Sequence, residues 1–369
     1  MLVWMTLTHL PTIASTYVNQ PLGFVSGAEG FIFLSALFTG RIYSRIARRD
    51  GYVAMRRKLW GRAFRLYVYH MLLLGAAFLL ASRVVHGYRP GMHYWLDFYF
   101  SAGVKRALLD GALLLYRPPL LDILPMYIIF LFLTPVALAM MARFGLKPVW
   151  FGGFLLWLGA QFGLRLALFN LLVHGLGLAV PLNEMGSFDL WGWQFLWVIG
   201  LGCGLRWANE DLPVENWARR LLAPAAVVAG VLFALRYAVG RGIELGSFEI
   251  SFDKWHLGAV RLIDLSAIAV LLVRFQSQLQ RLAIRPLVML GQASLQVFCA
   301  HLLFCFLGIG LLGDTARVTA PQQAILLAAT LSALLVTAKL FEKQESKTEA
   351  DPPTPPPVLQ ARAAAELGR

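Results

Sequence analysis

Ten apolar stretches alternate with polar connections along the chain, approximately at residues 1–18, 21–40, 59–82, 120–142, 148–164, 188–205, 221–240, 257–273, 287–312 and 321–340. A helix crosses a bilayer with about 20 apolar residues, and it satisfies its backbone hydrogen bonds within one segment. The pattern therefore predicts an all-α, polytopic membrane bundle of about ten transmembrane helices over residues 1–341. The connection from 83 to 119 is the longest and is rich in Tyr, Trp, His and Arg; its part from Asp97 to Leu115 reads as an interfacial helix. From Glu342 the residues turn to Glu, Lys, Thr and Pro, so 342–369 reads as a disordered, Pro-rich tail.

Composition supports the membrane reading: 58% of residues are hydrophobic and 14% charged, which excludes an ordinary soluble domain. A formal charge of +13 on a soluble chain would suggest nucleic acid, but here the basic residues sit between the apolar stretches. Arg41, Arg45, Arg48, Arg49, Arg56, Arg57 and Lys58 crowd the second connection, with Asp50 among them, as in a cytoplasmic loop. Counting spans from that loop puts both termini in the cytoplasm. The partner implied is the lipid bilayer, not nucleic acid. Cys203, Cys299 and Cys305 lie in or beside apolar stretches without metal-ligand spacing; they read as core residues, and no metal site is expected.

Against this background the intramembrane polar residues stand out. His9 lies inside the first stretch, where an ionisable side chain is costly and marks a functional site unless it merely bonds a neighbouring helix. Pro11, two residues on, frees a backbone carbonyl and predicts a bend beside the imidazole. Glu29 sits among Gly27, Ala28 and Gly30, small neighbours that let a helix or ligand approach. Arg62, Arg65 and Tyr69 share one helical face near the cytoplasmic boundary and suit a phosphorylated ligand, or else snorkel to headgroups. Asp122 opens the fourth span, where a carboxylate also caps a helix N-terminus. Lys254 lies in the last outside loop, followed by Arg261 and Asp264, which at a spacing of three could form a salt bridge. His301 lies within the ninth span.

Several segments taken together carry a resemblance. TLTHLP around His9, SGAEGFIFLSALFTG around Glu29, RAFRLYVYH from Arg62, PPLLDILPMY around Asp122, WGWQFLWVIGLGCG, DKWHLGAVRLIDLSAI and LGQASLQVFCAHLL follow one another in the order and spacing of the OpgC family, the periplasmic-glucan succinyltransferases of the acyltransferase-3 superfamily. The resemblance covers nearly everything but the tail. It implies a multi-pass bacterial inner-membrane enzyme that moves an acyl group, typically succinyl, from cytoplasmic acyl-CoA (succinyl-CoA) to a periplasmic glucan or other envelope saccharide.

That chemistry suits the residues already singled out. A sugar hydroxyl is a poor nucleophile, so His9 is expected to act as general base, oriented by Glu29 or Asp122. Arg62 and Arg65, with Tyr69, are expected to hold the CoA phosphates. Lys254, Arg261 and His301 are expected to contact substrate. The competing readings are a glycan or acyl-compound transporter, or a catalytically inactive relative. The latter arises because the arginine that the superfamily places eleven residues before the histidine falls upstream of Met1, so the biological chain is expected to begin upstream of Met1 and to carry it.

Overall fold

The computed structural model describes residues 1–84, 90–177, 180–209, 214–312 and 318–350, and among these it is all helical, without strands. The first apolar stretch is not one helix. Helix α1 (Leu2–His9) stops because Leu10, which precedes Pro11, is extended at φ −70° and ψ 140°, and the chain restarts as the single turn α2 (Ala14–Val18). The bend expected beside His9 is thus a full break.

Helix α3 (Gly27–Val84) carries the next two predicted spans across an elbow at Gly51, whose φ of 85° and ψ of 165° belong to a region that favours glycine. Asp50 ties the two arms together, pairing with Arg49 at 2.7 Å and with Lys58 at 3.1 Å. There follow α4 (Ile123–Phe144), α5 (Leu146–Gln161), α6 (Leu190–Asn209), α7 (Leu222–Val239), α8 (Ala259–Arg274), α9 (Ser294–Leu312) and α10 (Ala320–Ala350).

Not all of the ten expected spans meet the length and apolarity of a crossing as single helices. Among the described residues four helices are long and apolar enough to cross a membrane, or up to six if each bent pair is one span. The shortfall has local causes. Leu146–Gln161 and Leu164–Gly175 meet at 80°, and Arg285–Gln292 meets Ser294–Gly310 at 93°. Helix α8 has 16 residues, and α6 dilutes its apolar run with Trp191, Trp193, Trp197 and Trp207. The interfacial helix expected over Asp97–Leu115 is two pieces, Asp97–Ala102 and Val104–Ala112, parted at Gly103. The backbone of α10 stays helical to Ala350, past the expected start of the tail. Residues 351–369, the rest of that tail, and His86, Tyr88 and Arg89 of the long connection lie outside the described residues.

The first arm of α3 packs most extensively on α6; α4 packs against both, and α5 against α6 and α4. The two backbones approach closely because α6 presents glycine: a Cβ at Gly204 would lie 2.8 Å from the backbone nitrogen of Arg41 and closer still to the carbonyl of Leu37. Gly204→Ala is therefore expected to destabilise the protein by about 1–3 kcal/mol through overpacking. A thermal unfolding series in detergent checks this. Helices α7 and α8 form a satellite through Ala225, Ala267 and Val270. The outward faces carry Phe132, Val136, Val227, Val231, Ile325 and Val336, all exposed, as apolar side chains facing lipid would be.

Candidate active site

At one end of the bundle, the C-terminus of α1, the N-termini of α3 and α4, and the loop before α8 surround a cavity of about 590 Å³. That volume lies within the usual range for a small-molecule site. His9, Asn19, Gln20, Asp122, Lys254 and Trp255 are among its walls, with the hydroxyls of Thr8, Ser15, Thr16 and Ser187. Two of the loops that deliver these groups hold a non-glycine residue at positive φ, Leu120 at 70° and Leu257 at 56°. Such backbone is costly, and it persists where the surrounding structure over-determines it.

The imidazole of His9 is oriented by a second histidine. His9 Nδ1 lies 3.2 Å from His301 Nε2, and His301 Nδ1 lies 2.8 Å from the carbonyl oxygen of Phe298. A carbonyl only accepts, so His301 donates from Nδ1 and its Nε2 carries a lone pair. His9 then donates from Nδ1 to that lone pair, which leaves its own Nε2 unprotonated. His301 is fully buried behind His9, with the rings stacked at 5.5 Å. His9 is half-buried and lines the cavity. The chain thus presents a neutral imidazole with a free basic nitrogen at the end of a broken helix.

Asp122 does not cap α4; its carboxylate accepts from the backbone N–H of Ser187 at 3.2 Å. Burial pushes this carboxyl up to about 6, while the Ser187 N–H and the charge of Lys254 pull the other way. Because the folded value lies above the unfolded value of about 3.9, the folded state holds the extra proton between the two, and stability falls as pH rises through that window. Asp122→Asn is expected to remove about 2 kcal/mol of this loss between pH 4 and pH 7. Unfolding midpoints measured across that range for both proteins check it.

A model of the OpgC family, described as OpgC protein, matches residues 1–346. The chain belongs to the OpgC family. No curated protein and no solved structure matched in the corresponding comparisons.

In this OpgC protein His9, Asp122 and Lys254, singled out in the sequence, come together on one cavity. Others are placed elsewhere. Glu29 does not orient His9: it is fully buried and paired with Arg261, whose Nε donates to its Oε1 at 2.7 Å and whose Nη2 donates to the same oxygen. The other carboxylate oxygen takes the backbone N–H and hydroxyl of Ser26, at 2.9 and 2.6 Å. Arg261 is 1% exposed, engaged by this pair and outside the cavity lining, so it is not placed as the substrate contact expected. Nor does it pair with Asp264, which instead accepts from the backbone N–H of Phe24 at 2.7 Å. His301 contacts His9 and stands outside the cavity wall.

Arg62, Arg65 and Tyr69 do not converge. Arg62 donates to the Tyr127 hydroxyl at 2.9 Å, Arg65 is exposed, and Tyr69 packs half-buried against the core. A second cavity, of about 640 Å³, opens near the Gly51 elbow and is lined by Arg48, Tyr52, Met55 and Arg206. Sequence reasoning missed the His9–His301 contact, because no local spacing links positions 292 residues apart. It also missed Asn19 and Gln20, uncharged residues in the short connection between the first two apolar stretches.

Proposed function

We propose that this OpgC-family protein is an integral-membrane O-acyltransferase that moves an acyl group, succinyl by family resemblance, from acyl-CoA to a hydroxyl of a periplasmic glucan or related envelope saccharide. The observation that carries the reading is the unprotonated Nε2 of His9 on the wall of a cavity large enough for a sugar residue. In the step proposed, Nε2 takes the proton of a saccharide hydroxyl as its oxygen attacks the thioester carbonyl. The C–S bond then breaks, and the imidazolium returns the proton to the departing thiolate. The imidazolium is steadied meanwhile by the lone pair on His301. Amide and hydroxyl groups beside Trp255 suit the mixed polar and apolar faces of a sugar.

The topology that accompanies this reading has ten crossings, counting the two arms of α3 separately, α1 and α2 as one broken crossing, and each bent pair as one. Both termini lie in the cytoplasm by the basic elbow of α3, and the membrane is the bacterial inner membrane. The His9 cavity then faces the periplasm and the elbow cavity faces acyl-CoA. Replacement Arg48→Ala, in the lining of the elbow cavity, is expected to raise the apparent KM for acyl-CoA several-fold or more while leaving that for the saccharide nearly unchanged, which steady-state kinetics in proteoliposomes resolves. The function itself is tested by incubating purified protein with labelled succinyl-CoA and a glucose oligosaccharide. Labelled ester on the sugar is the expected product, and its absence with every acyl-CoA tried would contradict the proposal.

A further inference from the structure

Among the described residues Lys254 has no counter-ion in contact with it. Its loop is fixed through the backbone: Trp193 Nε1 donates to the carbonyl of Trp255 at 3.1 Å, Gln161 Nε2 to that of His256 at 2.8 Å, and Trp157 Nε1 to that of Leu257 at 2.8 Å. Beside it, Asp253 is occupied by His256, whose Nδ1 lies 2.6 Å from a carboxylate oxygen. The ammonium group itself rests over the rings of Trp255 at 4.9 Å and Phe188 at 5.7 Å. Among the described residues no ion pair or hydrogen bond reaches it, while Asp122, Glu29 and Arg261, whose charges act on it, are engaged with Ser187, with Ser26 and with each other.

A largely enclosed ammonium is costly unless something pairs with it, and contact with aromatic faces offsets only part of that cost. Here the charge lines the cavity that holds His9. A neutral saccharide has no use for a fixed cation, whereas an acyl chain ending in a carboxylate does. We propose that Lys254 is the residue that selects a dicarboxylic acyl group, holding its free carboxylate while the thioester carbon lies at His9. This rests on the acyl-transfer reading and adds to it a basis for choosing between charged and neutral acyl chains.

The test compares succinyl-CoA with butyryl-CoA, which has the same number of acyl carbons without the terminal charge, using the purified full-length protein and a glucose oligosaccharide. The wild type is expected to favour succinyl. In Lys254→Gln the succinyl-to-butyryl ratio of kcat/KM is expected to fall about ten- to a hundredfold, the size expected for losing a hydrogen bond to a charged group. Lys254→Arg is expected to keep most of the preference. A ratio is read within one preparation, so partial misfolding that lowers both rates does not move it. An unchanged ratio in Lys254→Gln would overturn the assignment, as would a wild type that uses both donors equally well. Failure of the wild type to transfer either group would overturn the acyl-transfer reading, and the charge selection with it.

Discussion

His9→Ala is expected to lower acyl transfer by about a hundred- to ten-thousandfold, the range that a positioned general base contributes. Protein abundance in the membrane is expected to stay near wild type, because the ring stands on a cavity wall and is not part of the fully buried core. The accompanying variant His301→Ala separates positioning from chemistry. Without the lone pair of His301 at 3.2 Å, nothing holds His9 in the tautomer that leaves Nε2 basic. Transfer is then expected to fall, though less than in His9→Ala. The two residues act as a unit, so the double variant is expected to be no slower than His9→Ala alone. Rates from the purified proteins decide this: losses that multiply would show that His301 acts independently of His9.

Glu29→Ala is expected to destabilise the protein by about 3–5 kcal/mol, because it leaves the Arg261 guanidinium buried without its partner. The cost reaches the site through the chain. Glu29 also holds the backbone N–H and hydroxyl of Ser26, which lines the cavity at the start of α3. Replacing both charges by apolar residues of similar size, Glu29→Leu with Arg261→Met, is expected to recover most of the loss, since neither desolvated charge then remains. Unfolding of the three proteins in one detergent provides the comparison. A single variant within about 1 kcal/mol of wild type would show that the pair is not what holds this junction.

Much of the bundle was legible in the apolar pattern, since every predicted stretch maps onto helix in the structure. What the pattern could not give was continuity. Pro11 predicted a bend, but a break also requires the residues beyond to find other partners; Ile13 does so by donating its N–H to Gln323 at 2.7 Å. The 80° and 93° bends have no comparable proline signal between their halves, so apolar runs of adequate length read as single spans.

The site was legible where the chemistry was odd for its surroundings, as with His9, and at Lys254 and Asp122 on the loops. It was misread where partners come from distant segments. Glu29 and Arg261 looked like two functional charges, and each proves to be the reason the other can be buried. Arg261 and Asp264 have helix spacing for a salt bridge, but both point across the bundle to the segment from Phe24 to Glu29. Spacing of three on a helix permits a pair without requiring one, and two side chains with better partners elsewhere leave it unmade.

The most direct measurement is mass spectrometry of envelope saccharides from cells that carry the wild-type chain, the His9→Ala variant at matched abundance, or neither. The account predicts an acyl substituent, heavier by one succinyl group per modified hydroxyl, present with the wild type and absent in the other two. Saccharides equally acylated with and without the chain, or fully acylated by the His9→Ala protein, would contradict it.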